Sequence, residues 1–343
     1  MIFRALCVAL AAFALHACTE NAAPGPHPAL ARKDAGISAA RLARLEAVLQ
    51  EEVDVGLRAG FVAAVGHNGR EVYSVAVGLA DIEEEIAMAQ TTRFRIASMT
   101  KPVVSFALMQ LVEEGKVLLT DPVSRYIPSF AQMRVATSTA AGPNGSIPTE
   151  PLNRAITVHD LMTHMSGIGY LFDFESDLGK LYLRNSLYNL DGDLAARIDA
   201  LTALPLYDQP GKKWIYSYST DVVGRIIEVA SGKSLEDYLK GRVFAPLGMN
   251  DTEFFFDESD FDRLAVVYAF GAEGEMVKAQ AGGALPSPNE KGHGWHSGGG
   301  GLVSTVRDYL RFAMMLAQGG ELDGVRLASP ATVRLMLENH TPA

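Results

Sequence analysis

The sequence has little cysteine and no excess of basic residues. Of its 343 residues only two are cysteines, Cys7 and Cys18, which argues against a disulfide framework and a cysteine-rich metal site. Lysine and arginine together number 30, against 40 aspartates and glutamates, and the formal net charge is -10. A nucleic-acid-binding surface needs a basic stripe to neutralise phosphates, so nucleic acid is not an expected partner.

Long hydrophobic runs are also missing, apart from one at the N-terminus. Ala5 to Ala17 is apolar and follows Arg4, a pattern typical of a signal peptide and too short to span a membrane as a mature helix. The run leads into Leu15-His-Ala-Cys18, which is similar to a bacterial lipobox, in which the cysteine is lipidated and becomes the new N-terminus. His16 is unusual there, so ordinary signal-peptide cleavage stays open as an alternative.

These features predict the domain organisation and the cellular localisation. We expect residues 1–17 to be a signal peptide, residues 18–35 to be a tether rich in proline and alanine, and residues 36–343 to form one folded domain. The protein would then reside in a bacterial cell envelope, either periplasmic or lipid-anchored through Cys18. That anchor is the only membrane contact we expect.

Two familiar catalytic patterns are missing or weak. No Gly-x-Ser-x-Gly occurs, so the nucleophile elbow of α/β-hydrolases is not supported. His293 and His296 are separated by two residues, but neighbouring glycines would break any helix that aligned them, and no carboxylate motif accompanies them. We interpret them as loop histidines and expect neither a bound metal nor a cofactor.

The sequence does contain a Ser-x-x-Lys where a helix is predicted to begin. Ser98 precedes Lys101 by three residues, and Pro102 with the apolar run from Val103 to Val112 indicates a helix start. Residues three apart share one face of a helix, so the amine can reach the hydroxyl and activate it for acyl transfer. Free N–H groups there would also stabilise an oxyanion. The motif alone is weakly specific, because a serine N-cap followed by a solvated lysine has the same spacing.

Local patterns predict the elements around this motif. Asn68-Gly69 between two β-like runs predicts a hairpin, because both turn residues favour positive φ. Residues 131–155 read as a surface loop, and residues 170–206, which are rich in aromatics, as a helical cap over the site or a helical layer. We interpret those aromatics mainly as core. The predicted helix boundaries include Ser38, Gly115, Thr157 and Gly232.

Four segments between Ser38 and Leu337 carry a family resemblance. They are Ser98-Met-Thr-Lys101, Leu161-Met-Thr-His-Met-Ser-Gly167, Pro210-Gly-Lys-Lys-Trp-Ile-Tyr-Ser217 and Ser297-Gly-Gly-Gly-Gly-Leu-Val-Ser-Thr305. In this order they resemble the penicillin-recognising serine hydrolases of the class C β-lactamase type, which include D-Ala-D-Ala carboxypeptidases and family VIII carboxylesterases. The resemblance implies an α/β fold of the α+β type: an antiparallel sheet flanked by helices, with a helical lobe.

The resemblance also implies roles for individual residues. Ser98 would be the acylated nucleophile and Lys101 its proton acceptor or electrostatic partner. Tyr216 would be the second base, which also protonates the leaving group. Its pKa of about 10 would have to fall toward neutrality, and Lys101 is the natural source of the charge that lowers it. Gly299 and Gly300 would lie in the wall of the acyl pocket, where four glycines indicate a roomy or mobile pocket.

The sequence departs from the lactamase pattern at Tyr218. Lactamases and peptidases of this type usually carry Tyr-x-Asn, whose amide grips the ligand's amide side chain. The spacing from Tyr216 through Asp221 to Gly224 is closer to the esterase branch. We interpret Asp221 as a helix-start residue and His164 as a core hydrogen-bonding residue.

A glycine-bearing third motif, normally on a strand after the last matched helix, is not found before Ala343. We assign His296-Ser297-Gly298 to the loop before Leu302. We therefore expect the domain to lack its final strands, and a chain ending there to be poorly soluble and nearly inactive, since the third motif supplies one oxyanion donor.

The resulting functional expectation is a serine hydrolase that cleaves short-chain carboxylic esters through an acyl-enzyme. Its substrate would be a small ester or amide. Two alternatives stay open: a β-lactamase or D-Ala-D-Ala carboxypeptidase, and a catalytically silent penicillin-binding-type protein.

Overall fold

The computed structural model describes residues 37–256, 258–279 and 295–341. The predicted signal peptide, Cys18, the tether and His293 lie outside these residues. Within the described part of the chain, no helix is both long enough and apolar enough to cross a membrane.

The helices are α1 (Ala39–Asp54), α2 (Thr100–Glu113), α3 (Val158–Met162), α4 (Asp177–Arg184), α5 (Leu194–Leu201), α6 (Ser219–Ser231), α7 (Leu235–Leu239), α8 (Ala245–Leu247), α9 (Val306–Ala317) and α10 (Pro330–Leu337). The strands are β1 (Gly60–His67), β2 (Arg70–Asp81), β3 (Ile86–Ala87), β4 (Phe94–Arg95), β5 (Arg134–Ala136), β6 (Thr149–Pro151), β7 (Tyr268–Phe270), β8 (Met276–Lys278), β9 (Val303–Ser304), β10 (Glu321–Leu322) and β11 (Val325–Arg326).

Strands β1, β2 and β3 form a three-stranded antiparallel sheet in that order. The predicted hairpin at its tip is confirmed: Asn68 and Gly69 both have positive φ, 48° and 73°. Helix α1 packs against β2, and α9 against β1. Gly66 lets α9 approach closely, because a Cβ there would lie 2.8 Å from the sulfur of Met314. The antiparallel sheet flanked by helices is the fold class that the sequence predicts.

The core is built around α2, which packs against α6. Almost every side chain of α2 from Val103 to Leu111 is buried, as expected for a helix that is apolar on all sides. Phe106 meets Phe312 of α9 edge to face, with ring centroids 5.7 Å apart. The Ser-x-x-Lys segment is therefore fixed to a helix that is buried along most of its length.

The middle of the chain forms a helical layer, and its edge reaches the site. In α4 and α5 the side chains of Leu178, Tyr182 and Ile198 are fully buried. Tyr170 and Phe172, in contrast, lie beside Tyr216. The prediction that the aromatics are core thus holds for Tyr182 and fails for the residues at this edge.

Residues 131–155, predicted as a surface loop, contain two short strands. β5 pairs antiparallel with β6, with Arg134 opposite Pro151 and Ala136 opposite Thr149. Val135 is buried and also bridges to Leu206 in the helical layer. Strands of three residues are too short to show the alternation by which a strand is recognised, so no sequence pattern predicted them.

Candidate active site

Ser98 lies where a strand is converted into the central helix. β4 pairs with β9, with Arg95 opposite Val303, and the next amide, that of Ile96, donates to Leu302 O at 3.0 Å. A single 3₁₀ turn, Ala97–Met99, then leads into α2. Ala97 has a φ of 44°, the left-handed region that a residue with a side chain rarely adopts. This turn leaves the Ser98 side chain exposed at the amino end of α2.

Two of the predicted residues contact the Ser98 hydroxyl directly. Lys101 Nζ donates to Ser98 Oγ at 3.2 Å, and the Tyr216 hydroxyl donates to the same oxygen at 2.7 Å. The lysine is 8% exposed, and its Nζ lies 4.7 Å from the centroid of the Tyr216 ring. The arrangement therefore has a nucleophile and two groups that can exchange its proton.

His164 supports Tyr216 from behind. The two rings stack with centroids 5.1 Å apart and planes at 22°, and His164 Nδ1 lies 2.9 Å from Ser217 Oγ. Burial, with a smaller effect of the Lys101 cation, lowers the pKa of His164 to about 4. The imidazole is thus neutral at pH 7, and its contacts fit the core hydrogen-bonding role inferred from the sequence.

The glycine loop closes the other side of the site. Gly299 accepts a hydrogen bond from Lys101 Nζ at 2.6 Å through its carbonyl oxygen. Gly300 faces the nucleophile turn, because a Cβ there would lie 3.3 Å from the Tyr188 hydroxyl and 3.7 Å from the Ala97 carbonyl carbon. The two glycines predicted to line the acyl pocket therefore both lie beside the reactive residues.

His296 is turned away from these groups. Its ring packs against Phe254 and Phe255, and its Nε2 lies 3.3 Å from a carboxylate oxygen of Glu236. The segment that follows it is a turn closed by the Gly301 amide, which donates to Ser297 O at 2.9 Å. Within the described residues no group of three histidine, cysteine, aspartate or glutamate side chains is placed to hold a metal ion.

Aromatic side chains form a rim around Tyr216. Phe172 stacks on the Tyr216 ring at 6.0 Å and Trp214 lies 6.2 Å from it, yet these side chains remain 65% and 52% exposed. Tyr170 contacts both Tyr216 and the Lys101 ammonium. Of these rings, only Trp214 could be expected near the site from the sequence, because it lies two residues before Tyr216.

The sequence indicated for Asp221 only a place at the start of a helix, and its contacts in the structure go beyond that role. It does lie in the first turn of α6, but its carboxylate is fully buried and accepts hydrogen bonds from the glycine loop. A sign was available in the sequence, because an acidic residue directly precedes Val222 and Val223 on a helix whose apolar residues face the core.

Comparison with known proteins shows which family the chain is similar to. The family model described as Beta-lactamase matches residues 45–342. Protein Rv1367c of Mycobacterium tuberculosis is 37% identical over 291 residues, which is 85% of this chain and 70% of that protein. Esterase EstB of Burkholderia gladioli is 35% identical over 291 residues, covering 80% of this chain and 69% of the esterase.

Solved structures of this fold are also similar. EstCE1, described as a hydrolase with promiscuous acyltransferase activity, superposes with a TM-score of 0.71 at 27% identity, over 87% of this chain and 77% of its own. The LovD6 mutant of simvastatin synthase from Aspergillus terreus gives a TM-score of 0.73 at 26% identity, over 90% and 73%. The chain belongs to the β-lactamase family and is a serine hydrolase built on that fold.

Proposed function

We propose that the protein hydrolyses short-chain carboxylic esters through an acyl-enzyme formed on Ser98, with Lys101 and Tyr216 as its proton-transfer groups. One observation carries the proposal: the Ser98 hydroxyl is held 3.2 Å from Lys101 Nζ and 2.7 Å from the Tyr216 hydroxyl. Both distances are within the reach that proton transfer requires. The similarity to esterase EstB and to EstCE1 supports esters as the substrate class.

In the first half-reaction Ser98 Oγ attacks the carbonyl carbon of the ester. The new bond forms as the serine proton passes to the Lys101–Tyr216 pair, which can accept it only when one of its two members is deprotonated. The carbonyl oxygen becomes an oxyanion at the amino end of α2, where the helix dipole favours negative charge. The bond to the alcohol oxygen then breaks, and Tyr216 returns the proton to that oxygen. Water attacks the acyl-enzyme by the reverse proton path, releasing the acid and restoring Ser98.

Tyr218 occupies the position that is asparagine in the Tyr-x-Asn motif, and this difference favours esters over β-lactams as substrates. Tyr218 is fully buried, and its hydroxyl lies 3.0 Å from Ser186 Oγ. It therefore offers no amide to a ligand in the cleft. An ester has a better leaving group than an amide and needs less anchoring, so the geometry supports the ester class.

Acyl transfer to an alcohol is a second candidate. The exposed rings of Phe172 and Trp214 beside Tyr216 provide an apolar surface where an alcohol can compete with water for the acyl-enzyme. EstCE1 is described as a hydrolase with promiscuous acyltransferase activity. Transfer would appear as a new ester when a p-nitrophenyl acyl donor is mixed with an alcohol.

The test compares a p-nitrophenyl ester series with a chromogenic cephalosporin. We expect kcat/KM for p-nitrophenyl butyrate to exceed that for the cephalosporin, and Ser98→Ala to abolish ester turnover and fluorophosphonate labelling. Ser105→Ala is the matched control, because Ser105 lies on the same helix and lines a separate cavity with Met162 and Leu335. Labelling that persists in Ser98→Ala, or a higher kcat/KM for the cephalosporin, would refute the proposal.

A further inference from the structure

Asp221 carries a buried carboxylate that the reaction above does not use. The residue is 0% exposed, in the first turn of α6. Its Oδ1 accepts two hydrogen bonds, from Ser297 Oγ at 2.7 Å and from the Gly299 amide at 2.9 Å. Its Oδ2 is buried and has no hydrogen-bond partner among the described residues. Because burying a half-satisfied carboxylate is costly, its presence at the site calls for an explanation.

The carboxylate is connected to the nucleophile through one residue of main chain. Gly299 donates its amide to Asp221 Oδ1 and accepts Lys101 Nζ at 2.6 Å on its carbonyl oxygen. Lys101 in turn contacts Ser98. The amide and the carbonyl of Gly299 belong to adjacent peptide groups that share its Cα. A displacement of Gly299 would therefore move the carbonyl that orients the ammonium group.

The glycine loop rests directly on the first turn of α6. A Cβ on Gly299 would lie 2.5 Å from Asp221 Oδ2, and a Cβ on Gly298 would lie 2.6 Å from the Thr220 carbonyl oxygen. Neither distance leaves room for a side chain. The absence of side chains at 298 and 299 is thus what lets the peptide reach the carboxylate.

The charges around Asp221 come from several elements. Burial raises the pKa of Asp221, while the bonds from Ser297 and Gly299 and the Lys101 cation act in the opposite direction. The phenols of Tyr170, Tyr188 and Tyr218 also face this carboxylate, and burial raises the pKa of each of them. The tyrosines are therefore neutral at pH 7, and Lys101 is the cation among these groups whose charge acts on the carboxylate.

We propose that Asp221 is a positioning residue, which fixes the Gly299 peptide through Oδ1 and so holds the Lys101 ammonium on Ser98 Oγ. The proposal rests on the function proposed above. It assigns Asp221 no contact with substrate. A purely structural role, holding α6 to the loop without effect on Lys101, would change stability alone.

The experiment compares Asp221→Ala with Asp221→Asn in the full chain. Two rates are measured per folded protein, with folding checked by circular dichroism: fluorophosphonate labelling of Ser98, and turnover of p-nitrophenyl butyrate. Asparagine keeps an oxygen at the Oδ1 position and replaces the unpartnered Oδ2 by NH₂, whereas alanine removes both oxygens. Both substitutions can change stability, so the two rates rather than stability decide between the variants.

The Asp221→Ala substitution should lower both the labelling rate and kcat by about 10- to 100-fold and change KM little. Misplacing a reacting group by about 1 Å has an effect of that size. Asparagine should stay within about threefold of wild type, because the acceptor is retained. A folded Asp221→Ala protein with wild-type labelling would overturn the proposal. So would an asparagine variant as slow as the alanine variant, since the charge would then act rather than the hydrogen bonds.

If Asp221→Ala does not fold, Gly299→Ala tests the same link. Its added methyl group collides with Oδ2 and displaces the peptide while the carboxylate remains. Wild-type labelling in this variant would equally overturn the proposal. A wild-type protein that labels on Ser98 but hydrolyses no ester would refute the ester function, and the labelling comparison would still decide the role of Asp221.

Discussion

Replacing Tyr216 by phenylalanine removes a single oxygen from the site. That oxygen lies 2.7 Å from Ser98 Oγ. The ring itself is held by His164 at 5.1 Å and by Phe172 at 6.0 Å, so phenylalanine should keep its position. The change therefore tests the hydroxyl and leaves the packing in place.

The expected loss follows from the proton transfers that Tyr216 performs. A positioned acid–base group contributes about 10²- to 10⁴-fold to a rate, which is about 2.7–5.4 kcal/mol of activation free energy. Tyr216→Phe should lower kcat for p-nitrophenyl butyrate by that factor. Lys101→Ala should cost a similar factor, and the double variant should lose little more than either single one, because the two groups act on the same proton.

The assay is kcat and kcat/KM between pH 5 and pH 10. Tyr218→Phe is the matched control: it also removes one tyrosine hydroxyl, but that hydroxyl is 3.0 Å from Ser186 Oγ in the core. The control should be less stable by about 1 kcal/mol and keep its kcat. If Tyr216→Phe kept near-normal kcat across this pH range, Tyr216 would be structural and the proposed mechanism would be wrong.

Three further predictions concern the stability of the protein and its cellular localisation. His164→Asn introduces a residue that tolerates the positive φ at this position. Because the pKa of His164 is lowered to about 4 in the folded state, the free energy of unfolding of the wild type should fall by up to roughly 3 kcal/mol as the pH falls from about 6.5 to 4. Urea unfolding should show that the asparagine variant does not lose this stability. Phe106→Ala should lower the free energy of unfolding by about 3–5 kcal/mol, because Phe106 is fully buried against Phe312, and denaturant titration measures this. We propose that Cys18 is lipidated, so that wild type is found in the membrane fraction and takes up labelled palmitate, while Cys18→Ser is released or stalls in processing; fully soluble wild type would indicate ordinary secretion.

Structural elements that are determined by residues close together in the chain were predictable from the sequence. The hairpin at Asn68-Gly69 follows from turn chemistry, and the helix after Thr157 begins with the capping box in which Thr157 and Asp160 bond to each other's main chain. Gly232 ends α6 with a φ of 69°, as a left-handed C-terminal residue does. In each case the residues that determine the structure are neighbours in the chain.

The site itself was predictable only in part. Ser98 and Lys101 share one helix, so their spacing alone brings them together. Tyr216 is 118 residues away from Ser98, and only the family resemblance indicated that they meet. The link from Asp221 to Gly299 spans 78 residues and joins a helix to a loop, a contact that neither periodicity nor composition encodes.

The left-handed Ala97 has a consequence for engineering this enzyme. Such a backbone conformation costs an alanine about 1–2 kcal/mol, a cost that glycine largely avoids. A search for thermostabilising substitutions would therefore rank Ala97→Gly highly. The same substitution would give the turn before Ser98 more freedom, so a higher melting temperature would come with a less ordered nucleophile. Stability and turnover would then be coupled at this one residue, and screening for either property alone would select opposite side chains.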